Sequence, residues 1–168
     1  MPPSEHGSSA KNSFGFAVAF IMDAEGGMRN IFITVGLLGI VAMGCDLKDK
    51  QGGAATDEGI AASNAWLEIV DAERYGDSWQ QACAYFRGLV PKERWEQQIA
   101  SVRAPLGPVL SREVTSAEYA TKLPGAPDGE YVVIQYQTKF QNKADAIETV
   151  TPMRDPDGAF RVSGYYIR

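Results

Sequence analysis

Apolar positions along this chain follow three successive patterns. The first is a continuous run, Ile31 to Gly44 (IFITVGLLGIVAMG), uncharged throughout, with Arg29 just before it and Cys45 just after. The second is helical. Ala62, Trp66, Ile69 and Val70 share one face of a helix predicted from about Asp57 to about Glu73, with Thr56 and Asp57 supplying N-cap chemistry. Tyr75-Gly76-Asp77-Ser78 interrupts it, Gly76 being suited to a left-handed turn and Asp77 or Ser78 to a cap. Trp79, Ala82, Cys83 and Phe86 then fall at i, i+3, i+4 and i+7, the stripe of a second helix. Pro91 fits the first turn of a third helix, whose inner face is Trp95, Ile99 and Val102 and which Pro105 ends.

The third pattern has a period of two. Val132, Ile134, Tyr136, Thr138 and Phe140 alternate with Gln135, Gln137 and Lys139, which predicts a strand over 131–140 with one buried face. Gly107 to Lys122 is rich in Val, Thr and Tyr and reads as extended, although its alternation is blurred. Residues 146–153 and 160–167 supply two more strands, and the Pro/Gly/Asp clusters at 124–129 and 155–158 are turns. Four strands on short loops make an antiparallel meander that amphipathic helices cover on one face. The predicted fold class is α+β, three N-terminal helices packed on a four-stranded antiparallel sheet.

The leading apolar run sets the domain organisation. As a helix it would be about 21 Å long against a hydrocarbon core of about 30 Å, too short for a permanent span and right for the hydrophobic region of a secretory signal. Its end, Val41-Ala42-Met43-Gly44-Cys45, resembles the lipobox of bacterial lipoproteins. That resemblance implies cleavage between Gly44 and Cys45 and acylation of the Cys45 sulfur, with lipid attachment at Cys45 and a bilayer as partner. Residues 28–44 are then a signal peptide, 45–56 a flexible Gly- and Lys-containing tether, and 57–168 one domain. Residues 1–27, with Asp23 and Glu25 ahead of the basic residue, are either an upstream start extension without a fold or an unusually long leader. The expected location is the envelope, facing the periplasm, at the inner or the outer membrane.

Composition mostly removes chemistries. The 168 residues carry 16 basic and 21 acidic side chains, a net charge of −5 with no basic run, so nucleic acid is not an expected partner. The one histidine, His6, precedes the signal region, and the two cysteines are Cys45 and Cys83. Zinc sites, histidine-based triads and a metal or cofactor requirement therefore have no support. Cys83 sits on an apolar helical stripe and reads as a small buried hydrophobe. Asp155-Pro156-Asp157-Gly158 looks like the start of a calcium loop but lacks the downstream glutamate, so a hairpin turn is the better account.

Helices followed by a curved sheet resemble the cystatin-like and nuclear-transport-factor-like folds, in which the sheet forms a cone around a helix. A closer resemblance rests on ordered pieces of sequence. Trp66-Leu67 with Asp71 and Tyr75, Ser78-Trp79, Trp95, and Arg103-Ala104-Pro105-Leu106-Gly107 recur in this order in the bacterial family called domain of unknown function 4019. Pro127-Asp128-Gly129-Glu130-Tyr131, Phe140, Glu148-Thr149-Val150 and Gly164-Tyr165-Tyr166 do so too. What the resemblance implies is an envelope-facing module with no assigned reaction and no catalytic residues to carry over.

Two functions are compatible with these residues. The leading one is a non-enzymatic binding or protein-interaction domain on a lipid anchor, paired with a second copy or with an envelope protein. The other is a small-molecule isomerase- or lyase-like enzyme using a carboxylate–tyrosine pair inside the cone. The candidate pocket residues are Asp71, Tyr75, Arg103, Tyr136 and Glu148. Salt-bridged acids in an aromatic-filled interior would favour the first; an unpaired acid beside a tyrosine in a cavity would favour the second.

Overall fold

The computed structural model describes residues 47–168. The predicted extension 1–27, the predicted signal peptide 28–44 and the predicted lipid-attachment residue Cys45 lie outside the described residues. Helices α1 (Leu47–Asp71), α2 (Tyr75–Gln81), α3 (Ala84–Leu89) and α4 (Lys92–Arg103) precede strands β1 (Val109–Ala120), β2 (Tyr131–Phe140), β3 (Lys143–Arg154) and β4 (Phe160–Ile167). The strands form one antiparallel sheet in the order β1-β2-β3-β4, as the alternation predicts. α1 packs across all four strands.

Four helices replace the predicted three, because the second apolar stripe is split. Ala82 and Cys83 are extended, with ψ of 161° and 158°. The Cys83 N–H donates to the Val162 carbonyl of β4 at 2.9 Å, and the Cys83 sulfur accepts from the Phe86 N–H at 3.3 Å to cap α3. A backbone bond to the sheet thus wins over continuation of a short helix, and Ala82, Cys83 and Phe86 stay buried all the same.

The segment read as a flexible tether is also revised, since from Leu47 onward it is the first part of α1. Ala55 is already buried in the core, and the Thr56 hydroxyl donates to the Gly52 carbonyl one turn back at 2.8 Å. Each of Gly52 and Gly53 costs the helix about 1 kcal/mol relative to alanine. Tertiary burial from Ala55 onward offsets that.

α1 stops by a backbone device at an unexpected residue. The Glu73 N–H donates to the Val70 carbonyl and the Arg74 N–H to the Ile69 carbonyl, the paired bonds of a Schellman stop. The left-handed position is Glu73 (φ 57°), where glycine was predicted at Gly76. Gly76 instead lies inside α2, where a Cβ would crowd the Lys92 and Glu96 side chains of α4.

The core sits between the helix layer and the sheet. Trp66, Trp95, Phe86 and Tyr165 meet at ring separations of 5.2–5.8 Å, two of the three pairs edge-on. The Trp66 indole N–H donates to the Ser78 carbonyl at 2.8 Å and the Trp95 indole N–H to the Ser78 hydroxyl at 3.0 Å, so one buried serine satisfies both rings. α1 reaches the sheet closely at Gly59, where a Cβ would stand 2.7 Å from a Val132 methyl.

Candidate functional site

Glu148 is the residue about which the candidate site is built. It lies on β3, opposite Tyr136 of β2 and Ile167 of β4, on the face covered by helices, and is fully buried. Burying a carboxylate is costly unless its oxygens are all satisfied by charged or polar donors. Here they are. Oε1 accepts from Arg103 Nη1 at 3.2 Å and from the Tyr165 hydroxyl in a very short bond. Oε2 accepts from Arg112 Nε at 2.6 Å and from the Thr138 hydroxyl at 2.5 Å.

The same two arginines close a ring through Asp71 at the end of α1. Arg103 Nη2 reaches Asp71 Oδ1 at 2.6 Å, and Arg112 reaches Oδ2 with Nη1 at 2.7 Å and Oδ1 with Nη2 at 3.0 Å. Four elements therefore contribute: Asp71 from α1, Arg103 from α4, Arg112 from β1 and Glu148 from β3. Two positive and two negative groups leave no net charge. Arg103 also stacks its guanidinium over Phe140, 4.8 Å from the ring centre. It closes α4 as a cation at a helix C-terminus, and it reaches the carboxylates from there.

Proton affinities follow from this packing. Burial, with the Glu148 charge added, raises the Tyr165 hydroxyl well above its ordinary value, so Tyr165 is a neutral donor. Burial acts to lower the Arg103 and Arg112 values. For Arg103 the Tyr165 and Asp71 contacts outweigh it, and for Arg112 the Asp71 and Glu148 bonds do, so both cations are raised overall.

Of the five predicted pocket residues, the fold brings Asp71, Arg103 and Glu148 together. Tyr136 is their neighbour, but its hydroxyl donates to Asn64 Oδ1 at 2.9 Å, and burial pushes it up to about 12. Tyr75 is half-buried at the start of α2, raised by that burial and by Glu73, and it feels the charges of Arg103 and Asp71 without joining the ring. Sequence reasoning missed Arg112, Thr138 and Tyr165. Thr138 carried a signal, a polar residue on the inward parity of β2 beside Tyr136 and Phe140.

A second concavity, a groove of about 740 Å³, runs between α1 and the β3–β4 turn, lined by Ala62, Trp66, Gln81, Arg87, Asp155 and Arg161 among others. Its two acids are paired with Arg161, while Arg87 donates to the Gln80 and Ala82 carbonyls. Buried Asp155 accepts from the Ala84 N–H at 3.2 Å and from Arg161 at 3.0 Å, and Arg161 holds Asp157 at 2.7 Å. The turn is the predicted hairpin turn, with Gly158 at φ 86°. Among the described residues no group of three or more His, Cys, Asp and Glu side chains is placed to hold a metal ion. No described helix is long and apolar enough to cross a membrane.

A helix layer on an antiparallel meander, locked by a neutral ring of buried ion pairs, defines a small α+β module. Residues 62–165 match the family described as protein of unknown function (DUF4019), and the chain belongs to that family. No curated protein and no solved structure matches it.

Proposed function

We propose that this chain is a lipid-anchored protein of the bacterial cell envelope whose domain is a non-enzymatic binding or protein-interaction module facing the periplasm. Cleavage between Gly44 and Cys45 leaves Cys45 as an acylated N-terminus, and two or more acyl chains suffice for stable anchoring at the inner or the outer membrane. The partner is a second copy or another envelope protein. A helix layer on a four-stranded meander is also compatible with a cystatin-like or nuclear-transport-factor-like cone, its interior filled by aromatic side chains.

One observation carries the non-enzymatic half: Glu148 has both oxygens engaged by Arg103, Arg112, Thr138 and Tyr165. An isomerase- or lyase-like site needs a carboxylate free to take and return a proton within reach of substrate. Glu148 beside Tyr165 has the composition of such a pair and is closed on every side.

Metabolic labelling with a fatty acid and cell fractionation test the anchor. Cys45→Ser should lose the label and the processed form; a variant processed and membrane-bound like wild type refutes it. A cross-linker applied to intact cells should trap the full-length chain with another copy or with an envelope protein. A chain recovered as monomer at every reagent level argues against an interaction role.

A further inference from the structure

α1 runs along β2 in the same direction as that strand. Toward its start Gly59 meets Val132, and Glu58 holds Arg154 at 3.0 Å. Further on Asn64 meets Tyr136, and Asp71 at its end reaches Arg112, which pairs with Thr138. The β1–β2 loop (121–130) and the β3–β4 turn (155–159) therefore lie at the end of the sheet where α1 begins. The β2–β3 turn, Gln141 and Asn142, lies at the other end, on the side of the ring.

The helix leaves almost no chain between the fold and the predicted lipid-attachment residue. Ala55 is already in the core, and α1 is continuous from Leu47. Leu47 to Ala55 covers about 12 Å at about 1.5 Å per residue. Cys45 and Asp46 precede Leu47 and add at most about 7 Å. As an extended coil the same stretch would reach about 35 Å and let the domain turn over freely.

We propose that no flexible spacer separates lipid from fold, and that α1 stands on the bilayer through Cys45. The end carrying the β1–β2 loop and the β3–β4 turn then faces the headgroups, and the end carrying the ring faces away. The inference rests on reading Cys45 as an acylated N-terminus and names the surface that meets the lipid. The charge of that end suits the position. Asp128 is held by Lys122, Glu130 by Arg154, and Asp155 and Asp157 by Arg161. Each acid of the loop and the turn has its own cation, so anionic headgroups meet little free negative charge. Between Lys122 and Asp128 the loop is uncharged. A protein partner is left the sides of the domain and its far end.

The test uses the full-length chain, processed in its own cells and purified in detergent. It is reconstituted into phosphatidylethanolamine–phosphatidylglycerol vesicles holding a little maleimide-headgroup lipid. Asp128→Cys marks the near end and Asp145→Cys the far end, both at exposed positions. Cys83 is buried and supplies the background rate. Rates are divided by those for a soluble maleimide in detergent. β2 separates the two marks by about 33 Å, so Asp128→Cys should couple to lipid about tenfold faster or more.

A Gly/Ser segment of about twelve residues inserted between Asp46 and Leu47 should bring the two rates within about twofold. Gly52→Ala/Gly53→Ala, whose added Cβ atoms meet open space, should keep the full ratio. Equal rates without the insertion, a ratio that survives it, or one lost in the alanine variant overturns the proposal. A chain that carries no fatty-acid label and leaves the vesicles overturns the anchor itself. A labelled, vesicle-bound chain with equal rates overturns only the orientation.

Discussion

Glu148→Gln is the most informative single substitution, because it keeps shape and removes only charge. The glutamate accepts four bonds, two on each oxygen, and each oxygen has one arginine and one hydroxyl. A glutamine offers one oxygen and one NH2. Whichever way the amide is turned, its NH2 faces an arginine N–H, Arg103 on one side or Arg112 on the other. Two guanidinium groups, 6% and 14% exposed, are then left with Asp71 as their one carboxylate in the ring. Removing one member of a buried ion pair costs about 3–5 kcal/mol, mostly the penalty of the charge left behind. Against a total stability of about 5–15 kcal/mol this is a large share. Urea unfolding followed by tryptophan fluorescence is the assay, since Trp66 and Trp95 are buried beside the ring. The midpoint should fall by about 2 M. Thr138→Val, which removes one neutral donor, should cost about 1 kcal/mol and serves as the scale. A Glu148→Gln chain as stable as Thr138→Val would mean that the ring does not hold the fold together, and Glu148 would again be available for acid–base chemistry.

Three further outcomes follow from particular residues. Glu73→Gly should stabilise the chain by about 0.5–1 kcal/mol, because the left-handed position that ends α1 holds a residue with a Cβ; an unchanged or lowered midpoint in thermal unfolding would contradict it. Cys83, whose thiol burial pushes up to about 11, should resist a disulfide-exchange reagent at pH 8 in the folded chain and react fully in urea; rapid native labelling would show an accessible thiol. Asp157 is held down to about 2, first by the Arg161 hydrogen bonds and then by the Ala159 N–H, so the folded value lies below the unfolded one. Its small stabilisation is present above the ordinary aspartate value near 4 and is lost as pH falls toward about 2. Asp157→Asn should flatten that part of the acid unfolding profile and remove the same small stabilisation at neutral pH; a variant whose acid profile still matches wild type would contradict it.

Period carried most of the fold, and backbone bonding between distant segments carried the rest. β2 was legible because its inward positions, Val132 to Phe140, alternate without interruption. The split between α2 and α3 was not, since Ala82, Cys83 and Phe86 satisfy the apolar stripe with or without the break, and the cause is a bond from Cys83 to Val162 in the last strand. The site divided in the same way. Asp71, Arg103 and Glu148 stood out as charges beside apolar faces. Arg112 did not, because two register shifts blur the parity of β1, and its inward direction is fixed by pairing with Thr138. Tyr165 was one aromatic among several until β4 was laid against β3 opposite Val150.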